Sequence, residues 1–358
     1  MKVAIIGSGI YGVYSAIKLA RNYSRNLEID IYEKKDKLLS EAIANNQSRL
    51  HYGFHYPRSS NTIKQSLEGS KIFEEEFKSI IIEPKKNIYA IHKDSLTNFD
   101  EYIRILKEYN LEFSIENITD YNYFKKPTDI EGIINTKEKI IFLDKLIDLL
   151  KDNIKLININ IFLNSNVINI DPDNGYIELE NNKPNHKNYD FIINASYTNP
   201  NLSLPSYKSF KIKYELTGLA IVSSILDRIG ITIMDGNFVS LYPKDLHNYT
   251  LSSVIKTKIL NFFNYDDFID FYKNKINELN HSEIINQILE DSKLYLNDSI
   301  KIGNKNKLWI APKVKLIDDT DATRAFKLIN HKKIISILCG KIDAVPIMFN
   351  ELNKFLKW

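Results

Sequence analysis

Residues 45–58 combine several side-chain types that can take part in catalysis. The segment, NNQSRLHYGFHYPR, contains two His, two Arg, two Tyr and one Gly, and its apolar residues follow neither the helical nor the strand period. A neutral imidazole accepts a proton from an alcohol at about pH 7, and a guanidinium binds a carboxylate through paired hydrogen bonds. The segment therefore predicts either a catalytic loop or a solvated loop whose aromatic rings pack against one another.

A glycine turn near the beginning of the sequence predicts a binding site to which this loop would contribute. The turn, Gly7-Ser8-Gly9-Ile10-Tyr11-Gly12, has the spacing GxGxxG. An apolar run at residues 3–6 precedes it, and a predicted helix at residues 13–21 follows it. An alternating strand at residues 27–32 then ends in an acidic residue, Glu33. This order of strand, turn, helix, strand and acid is typical of a dinucleotide-binding unit.

Each residue of the motif has its own physical role. Gly7 permits the tight turn, Gly9 lets the backbone approach a pyrophosphate, and Gly12 lets the helix lie close to the strand. The free N–H groups at the beginning of the helix favour phosphates, and Glu33 can accept hydrogen bonds from ribose hydroxyls. NAD sites use an acid at the same place. The polar residues 34–39 and the position of the motif at the beginning of the sequence favour FAD.

With these residues in place, the sequence resembles the FAD-dependent oxidoreductases related to D-amino-acid oxidase. The resemblance rests on the GxGxxG motif, on Asn46, His51, Gly53 and Tyr56, and on the Ser-led helix that follows them. Within that superfamily the closest type is the 2-hydroxyglutarate oxidase/dehydrogenase. The resemblance implies a bound FAD and oxidation of a CH–NH or CH–OH bond by hydride transfer to flavin N5. The implied substrate is an amino acid, a 2-hydroxy acid or a sugar-like acid.

The resemblance continues downstream in shorter segments. Residues 165–170 match the strand that contacts the adenine, residues 189–195 match the strand that returns to the cofactor, and residues 336–342 match the last strand and the turn at the flavin ring. The implied cofactor-binding residues are Gly7, Gly9, Ile10, Tyr11, Gly12, Glu33, Lys34, Asn46, Arg49, Leu50, His51, Val167, Ala195, Gly340, Lys341 and Ile342.

Two positions depart from the pattern of the family. Ser196 and Tyr197 follow Ala195, where relatives usually have Gly, and Lys341 follows Gly340, where relatives commonly have His or Gly. A cation at the second position is expected to stabilise the anionic reduced ring. These departures affect the local shape around the flavin and leave the substrate open.

The expected catalytic residues come from the histidine-rich loop and from two later segments. They are His51, His55, Arg58, Tyr242 and Arg324. Both histidines are candidates for the proton acceptor, and the resemblance implies that His51 lies nearer the flavin and His55 nearer the substrate. Arg49, Arg58 and Arg324 are available for a substrate carboxylate, and Tyr242 for a hydroxyl over the ring.

The order of predicted elements indicates an α/β protein. We expect a Rossmann-like FAD-binding domain and a second, mixed-sheet α+β substrate domain. The expected FAD-binding domain comprises residues 1–79, 142–200 and 310–358, and the expected substrate domain comprises residues 80–141 and 201–309. The chain then passes between the two domains several times.

The composition of the 358-residue chain argues against several other classes. Its 48 basic and 45 acidic residues give a net charge of +3, which is too balanced for a nucleic-acid surface. One cysteine rules out an internal disulfide and a Cys-rich zinc site, and it suits a cytoplasmic location. No stretch predicts a membrane span, so the expected partners are a small-molecule substrate and an electron acceptor, either oxygen or another molecule. Three alternatives remain: a non-redox flavin enzyme similar to sugar-ring mutases, an NAD-dependent dehydrogenase, and a catalytically degenerate flavin-binding protein.

Overall fold

The computed structural model describes residues 1–23, 27–180, 187–317 and 324–356. The helices in these ranges are α1 Ile10–Asn22, α2 Ser60–Glu76, α3 Phe99–Glu108, α4 Leu143–Lys155, α5 Tyr265–Asp270, α6 His281–Ser292 and α7 Val345–Phe355. The strands are β1 Lys2–Ile6, β2 Glu28–Tyr32, β3 Arg49–Leu50, β4 Ile81–Ile82, β5 Lys86–His92, β6 Phe113–Glu116, β7 Ile130–Thr136, β8 Lys139–Ile141, β9 Asn160–Phe162, β10 Val167–Ile170, β11 Ile177–Leu179, β12 Phe191–Asn194, β13 Ile212–Ser223, β14 Ile229–Met234, β15 Val239–Pro243, β16 Asn248–Ser253, β17 Lys258–Phe262, β18 Gly303–Leu316, β19 Lys327–His331 and β20 Ile334–Leu338.

One six-stranded sheet contains the first and the last strands of the described chain. Its order is β19-β20-β12-β1-β2-β9, and every pair is parallel except β19 with β20. The order reverses at β1, and such reversals form the crevice in which doubly wound folds bind ligands. Because parallel strands end at the same edge, this crevice brings together Gly7, Glu33, Ala195 and Gly340, each of which lies just beyond a strand. Turns that are far apart in the sequence therefore meet at one edge of the six-stranded sheet.

Alternating side chains of this sheet pack on two faces. Val3 and Ile5 join a large apolar cluster with α1, α2, α4 and α7, while Ala4 and Ile6 join a second cluster with β10 and β11 on the opposite face. The predicted parallel βαβ unit at the beginning of the sequence is thus present, and its strands are buried on both sides, as parallel strands usually are.

A second, nine-stranded sheet is mixed. Its order is β17-β13-β16-β15-β14-β5-β7-β6, with β18 paired to β13, and β14 runs parallel to β5 whereas the other pairs are antiparallel. One face packs on α6 through an apolar cluster that includes Ile231, Leu241 and Ile288. The other face carries the polar side chains of Glu215, Thr217, Thr232 and Ser240 towards a large cavity.

The predicted fold class is confirmed by this combination of a parallel Rossmann-like sheet and a mixed sheet. The boundaries given above for the two domains stay a prediction. A short sheet, β3-β8-β4, links Arg49 and Leu50 to residues 139–141 and so fixes the beginning of the histidine-rich loop. Within the described residues, the helices are too short or too polar to cross a bilayer.

Candidate functional site

A cavity of about 900 Å³ lies between the crevice edge of the six-stranded sheet and the polar face of the nine-stranded sheet. Most of the residues predicted from the sequence line it. These are Gly7, Gly9, Ile10, Tyr11, Glu33, Lys34, Asn46, Arg49, His51, His55, Arg58, Val167, Ala195, Arg324, Gly340, Lys341 and Ile342. Gly12, Leu50 and Tyr242 lie behind this wall. The histidine-rich loop, the glycine turn and the turn at residues 340–342 therefore line the same cavity.

The glycine turn fits the pyrophosphate of a dinucleotide. Gly7 has a positive φ of +94°, and a Cβ there would lie 2.8 Å from the carbonyl oxygen of Ala195. A Cβ at Gly12 would lie 2.0 Å from the carbonyl oxygen of Gly7, so this glycine is required for the packing of α1 on the turn. A Cβ at Gly9 would meet no protein atom within 4 Å. Gly9 therefore borders the cavity, where a ligand can approach the backbone.

The first turn of α1 is also open to an anion. Its N-cap residue, Gly9, has no side chain to bond the first N–H groups, and the first turn has no acidic residue. Unbonded N–H groups and the positive end of the helix dipole favour a phosphate at this position.

Glu33 holds the glycine turn against β2. Its Oε2 accepts hydrogen bonds from Ser8 N (2.8 Å) and Ser8 Oγ (2.6 Å), and its Oε1 accepts one from Lys35 N (2.9 Å). Glu33 also lines the cavity beside Lys34. The carboxylate thus has a structural role in the turn, and binding of ribose hydroxyls by its remaining lone pairs stays a prediction.

The distant C-terminal turn is tied directly to α1. The Tyr11 hydroxyl donates to the carbonyl oxygen of Lys341 at 2.5 Å and lies 2.7 Å from Cys339 Sγ. Cys339 is buried, and burial raises the pKa of its thiol to about 11. This contact explains how residues 330 positions apart in sequence form adjacent walls of one cavity.

Ser196 and Tyr197, the first departure from the family pattern, are accommodated by an unusual backbone conformation. Tyr197 has a φ of +58°, in the left-handed region. Its hydroxyl accepts a hydrogen bond from Val314 N at 3.2 Å and lies 3.0 Å from the place of a Cβ on Gly340. Tyr197 therefore connects the end of β12 to β18 and to the C-terminal turn.

Lys341, the second departure, has a buried ammonium group with partners in the protein. Its Nζ bonds Ser66 Oγ, lies 3.2 Å from Asp343 Oδ2 and sits 4.0 Å from the centre of the Tyr56 ring. Burial opposes the charge, but Asp343 and Tyr56 outweigh it and raise the pKa of Lys341 above its ordinary value. The side chain is a fixed cation whose charge is partly balanced by Asp343.

The two loop histidines lie side by side. Their ring centres are 5.7 Å apart, and both rings contact Tyr56 at 5.4 Å. Gly53 adopts a φ of +109° between them, where a Cβ would lie 3.0 Å from Ile63 on α2. The loop is therefore packed against α2 at Gly53, whereas His55 is exposed and lines the cavity. A catalytic role of residues 45–58 stays a prediction.

Both imidazoles are held in the neutral form. Burial lowers the pKa of His51 below its ordinary value; Lys341 and Arg49 lower it further, while Glu138 opposes them. Enclosure by protein and the charge of Arg49 hold the pKa of His55 well below its ordinary value. Neutral imidazoles can accept a proton, so both side chains have the protonation state that a general base requires.

Glu138 is a candidate functional residue that sequence reasoning missed. It is fully buried, and its Oε1 lies 3.5 Å from His51 Nδ1 and accepts a hydrogen bond from Tyr52 N at 3.0 Å. The Tyr89 hydroxyl donates to its Oε2 at 2.5 Å. Burial disfavours the charge, but the contacts with His51, Arg49 and Tyr89 lower the pKa of Glu138 to about 2. A carboxylate is therefore fixed behind the ring of His51.

Arg49 is not available to a substrate carboxylate. Its guanidinium donates to the Tyr89 hydroxyl at 2.7 Å, to Thr232 Oγ1 at 2.7 Å and to Ser240 Oγ at 3.0 Å. It also lies 3.9 Å from Glu138 and stacks 4.0 Å from the centre of the Tyr242 ring. Its role is to hold the nine-stranded sheet and the carboxylate of Glu138 in place beneath the loop.

The expectation that Tyr242 presents its hydroxyl to the cavity is wrong. The Tyr242 hydroxyl donates to the carbonyl oxygen of Lys139 at 3.0 Å, and its ring is covered by Arg49. Leu50 is likewise fully buried in the apolar cluster beside α1 and does not line the cavity.

The two remaining arginines differ in their surroundings. Arg58 Nε lies 2.6 Å and Nη2 3.3 Å from the carboxylate of Asp235, so this guanidinium already has a carboxylate partner. Arg324 is anchored by its backbone N–H, which donates to Thr62 Oγ1 at 2.9 Å, and its side chain lines the cavity near Tyr197 and Glu215. Arg324 is therefore the better placed of the two for an anion in the cavity.

The structure resembles solved flavoenzymes over almost its whole length. Glycine oxidase from Geobacillus kaustophilus matches with a TM-score of 0.74 at 12% identity, covering 98% of this chain and 93% of that protein. L-α-glycerophosphate oxidase from Mycoplasma pneumoniae, solved with FAD bound, matches with a TM-score of 0.74 at 15% identity, covering 100% and 94%. At these identities the likeness establishes the fold alone.

A relative found by sequence similarity is also described as FAD-dependent. The chain is 28% identical over 260 residues to the FAD-dependent monooxygenase FPY4 of Fusarium mangiferae. The match covers 72% of this chain but only 65% of that relative, so it carries no conclusion about the activity of the whole protein.

The profile of the DAO family, described as FAD dependent oxidoreductase, matches residues 2–222, which is more than half of the chain. The resemblance inferred from the glycine motif and the histidine-rich loop is confirmed at the level of the family, and the expected cofactor, FAD, is confirmed with it. The narrower likeness to 2-hydroxyglutarate oxidases stays a prediction. The chain belongs to the DAO family of FAD-dependent oxidoreductases.

Proposed function

We propose that this enzyme oxidises a CH–OH group of a small hydroxy acid or sugar-like acid, with His51 as the proton acceptor. The single observation that supports the proposal is the pairing of a neutral, cavity-lining imidazole with a buried carboxylate, at 3.5 Å between His51 Nδ1 and Glu138 Oε1. An alcohol must lose its hydroxyl proton as its C–H hydride leaves, so its oxidation requires a base, whereas an amine does not always need one.

FAD, when bound, supplies the acceptor for the hydride. The turn at Gly7–Gly12 and Glu33 would hold its pyrophosphate and ribose, and Val167, Ala195 and the turn at Gly340–Ile342 would contact the remainder. These assignments are supported by the open face of Gly9 and by the meeting of the two turns at one sheet edge.

The residues of this chain then handle the proton. Because Nδ1 of His51 faces Glu138, the opposite ring nitrogen, Nε2, is the one left to take the proton from the substrate hydroxyl. The imidazolium that forms is stabilised by the ionised Glu138, whose charge persists because its pKa is about 2. Tyr89 and Arg49 keep the carboxylate in place, so the base is oriented before the substrate arrives.

The acid group of the substrate needs a cation. We assign this role to Arg324 in preference to Arg58, because Asp235 already pairs with Arg58. An amino acid substrate with a CH–NH bond remains the second candidate class, supported by membership in the DAO family. The electron acceptor is proposed to be oxygen or a second redox partner.

The test is anaerobic reduction of the bound flavin by panels of hydroxy acids and amino acids, followed by absorbance. We expect a hydroxy acid to bleach the flavin of the wild-type protein. The His51→Ala variant should retain FAD, but its flavin should be reduced at least about 100-fold more slowly, because a general base usually contributes a factor of this size. His247→Ala, at an exposed histidine of the same protein, is the matched control and should be unaffected.

Two results would contradict the proposal. An unchanged reduction rate in His51→Ala would remove this residue from the chemistry. Bleaching by no member of either panel, in protein with full FAD content, would favour the non-redox or degenerate alternatives.

A further inference from the structure

Three strands of the nine-stranded sheet place charged side chains on one part of the cavity wall. Glu215 on β13 lies directly opposite Lys313 on β18, and Lys213 opposite Lys315. One step further along the same face, Thr217 lies opposite Lys258 on β17. Because side chains alternate with a period of two, Lys313, Lys315 and Lys258 all project from the face that carries Glu215.

This part of the wall, which we name the cationic wall, carries an excess of positive charge. Among the described residues it consists of four basic side chains, Lys258, Lys313, Lys315 and Arg324, and one carboxylate, Glu215. Lys315 forms an ion pair with Glu215, so the single carboxylate already has a partner.

The pKa values of two of these lysines are lowered, mainly by burial and next by the charge of Arg324. Burial, followed by the charges of Arg324 and Lys315, lowers the pKa of Lys313 to about 7. Burial and the charge of Arg324 lower the pKa of Lys315 to about 8. Basic groups with strongly lowered pKa values often occur at functional sites, where they bind a negatively charged group.

We propose that the cationic wall is a subsite for a dianionic group of the substrate, such as the phosphoryl group of a phosphate monoester. Arg324 alone would serve a substrate carboxylate, whereas the three lysines beside it, of which Lys313 and Lys315 take up protons when an anion binds, match a group with two negative charges. Lysine ammonium groups suit phosphate because they act as point charges around it, without the planar pairing that a carboxylate receives from arginine.

The pyrophosphate of FAD has a separate place in the cavity. The uncapped beginning of α1 and the open face of Gly9 belong to the six-stranded sheet, whereas the lysines of the cationic wall come from β17 and β18 of the other sheet. The wall is therefore left for a charge that the substrate brings.

The inference rests on the proposed function only in taking this cavity as the substrate site. Its test is titration of the FAD-loaded protein with sodium sulfate and with inorganic phosphate by calorimetry at pH 8, at constant ionic strength set with chloride. Because binding is measured without turnover, failure to bind sulfate and failure to oxidise any acid are separate results.

We expect sulfate and phosphate to bind, and Lys313→Gln to weaken both at least tenfold. Sulfate has no proton to release at this pH, and a bound dianion favours the charged forms of Lys313 and Lys315. Its binding should therefore take up protons, seen as a dependence of the heat on the buffer. Lys305→Gln, on an exposed part of β18, makes the same substitution on the same strand and should change the affinity less than twofold.

Three results would overturn the inference. They are absence of binding by either anion, equal weakening in Lys313→Gln and Lys305→Gln, and loss of FAD from Lys313→Gln. The last result would mean that the cationic wall neutralises the cofactor. The FAD absorbance and the melting temperature of each variant confirm that it is folded.

Discussion

Replacement of Glu138 by Gln tests the role assigned to the buried carboxylate. Gln has nearly the same shape, and its single carbonyl oxygen can keep the hydrogen bond from Tyr52 N. Its NH2 group cannot accept the bond that the Tyr89 hydroxyl donates to Oε2, and the side chain has no charge to place behind His51. Arg49 also loses the carboxylate 3.9 Å from its guanidinium. The variant therefore removes the charge and one accepted hydrogen bond with little change of side-chain volume.

The magnitude follows from the pKa of Glu138. A carboxyl whose pKa falls from 4.5 to about 2 gains about 3 kcal/mol of stabilisation for its ionised form in the folded state. Since the folded value is the lower one, this stabilisation is present above pH 4.5 and is lost as the pH falls through about 2. Part of this stabilisation comes from protonated His51 and is lost once that imidazole is neutral, so at neutral pH we expect the Gln variant to lose less than about 3 kcal/mol of unfolding free energy.

The catalytic effect has a separate signature. Glu138 raises the pKa of His51, so its neutralisation lowers that pKa further and makes the imidazole a weaker base. We expect anaerobic flavin reduction to slow by about 10- to 100-fold, the usual effect of losing a group that orients a catalytic histidine. The acid limb of the pH profile of kcat/KM should move to lower pH, because His51 then stays neutral in more acidic solution.

The assay is stopped-flow reduction of the bound flavin between pH 5 and pH 9, with thermal unfolding measured in parallel. Glu83→Gln is the control. Glu83 is an exposed carboxylate that lies 3.4 Å from Lys139, and Lys139 is the residue that follows Glu138 in the sequence. An acid limb that stays in place in Glu138→Gln, with an unchanged rate and an intact fold, would refute the assignment. Lower stability alone would indicate a purely structural carboxylate.

Two further predictions concern the glycine turn and the corrected tyrosine. Gly9→Val should leave the apoprotein as stable as the wild type, since a Cβ there meets no protein atom within 4 Å, yet abolish FAD retention. Gly12→Ala should instead destabilise the apoprotein, because its Cβ would lie 2.0 Å from the carbonyl oxygen of Gly7. Urea unfolding measures the stability of each variant, and flavin absorbance measures its FAD content. A Gly9→Val protein that is still yellow would contradict the role of Gly9 in letting the pyrophosphate approach the backbone. Tyr242→Phe should cost about 1 kcal/mol of unfolding free energy through loss of the bond to Lys139 and leave flavin reduction unchanged, whereas a large loss of rate would return this hydroxyl to the active site.

The nucleotide end of the cavity was predictable because its determinants are contiguous in sequence. The spacing of Gly7, Gly9 and Gly12 and the acid at the end of β2 are local patterns, and a parallel sheet brings such turns to one edge. The return of Gly340 to this edge was inferred by resemblance, and the contact of Tyr11 with Lys341 accounts for it physically.

The substrate end was less accessible to sequence reasoning because it depends on non-local strand pairing. Glu138 stands between Lys137 and Lys139, a pattern that indicates a solvated turn. Its burial comes with contacts to Arg49 on β3 and Tyr89 on β5, which are distant in the sequence. The orientation of Tyr242 depends on Arg49, whose guanidinium covers that part of the sheet.

The cationic wall did leave a signal in the sequence. Lys313 and Lys315 are two positions apart in the otherwise apolar segment 308–316, and Lys213 and Glu215 are two positions apart on β13. Charged residues repeated on one face of such a strand indicate either an exposed edge or a polar cavity. The register of β13 with β18 distinguishes these two possibilities, and it is not readable from one strand alone.

A crystal structure of the protein with FAD and a non-reactive hydroxy acid analogue would show whether His51 faces the reacting group. We expect the phosphates to lie at the beginning of α1 beside Gly9, and the flavin ring to contact the turn at Gly340 with the analogue hydroxyl within hydrogen-bonding distance of His51. A flavin ring on the far side of the cavity from His51, or an analogue bound away from the imidazole, would contradict this expectation.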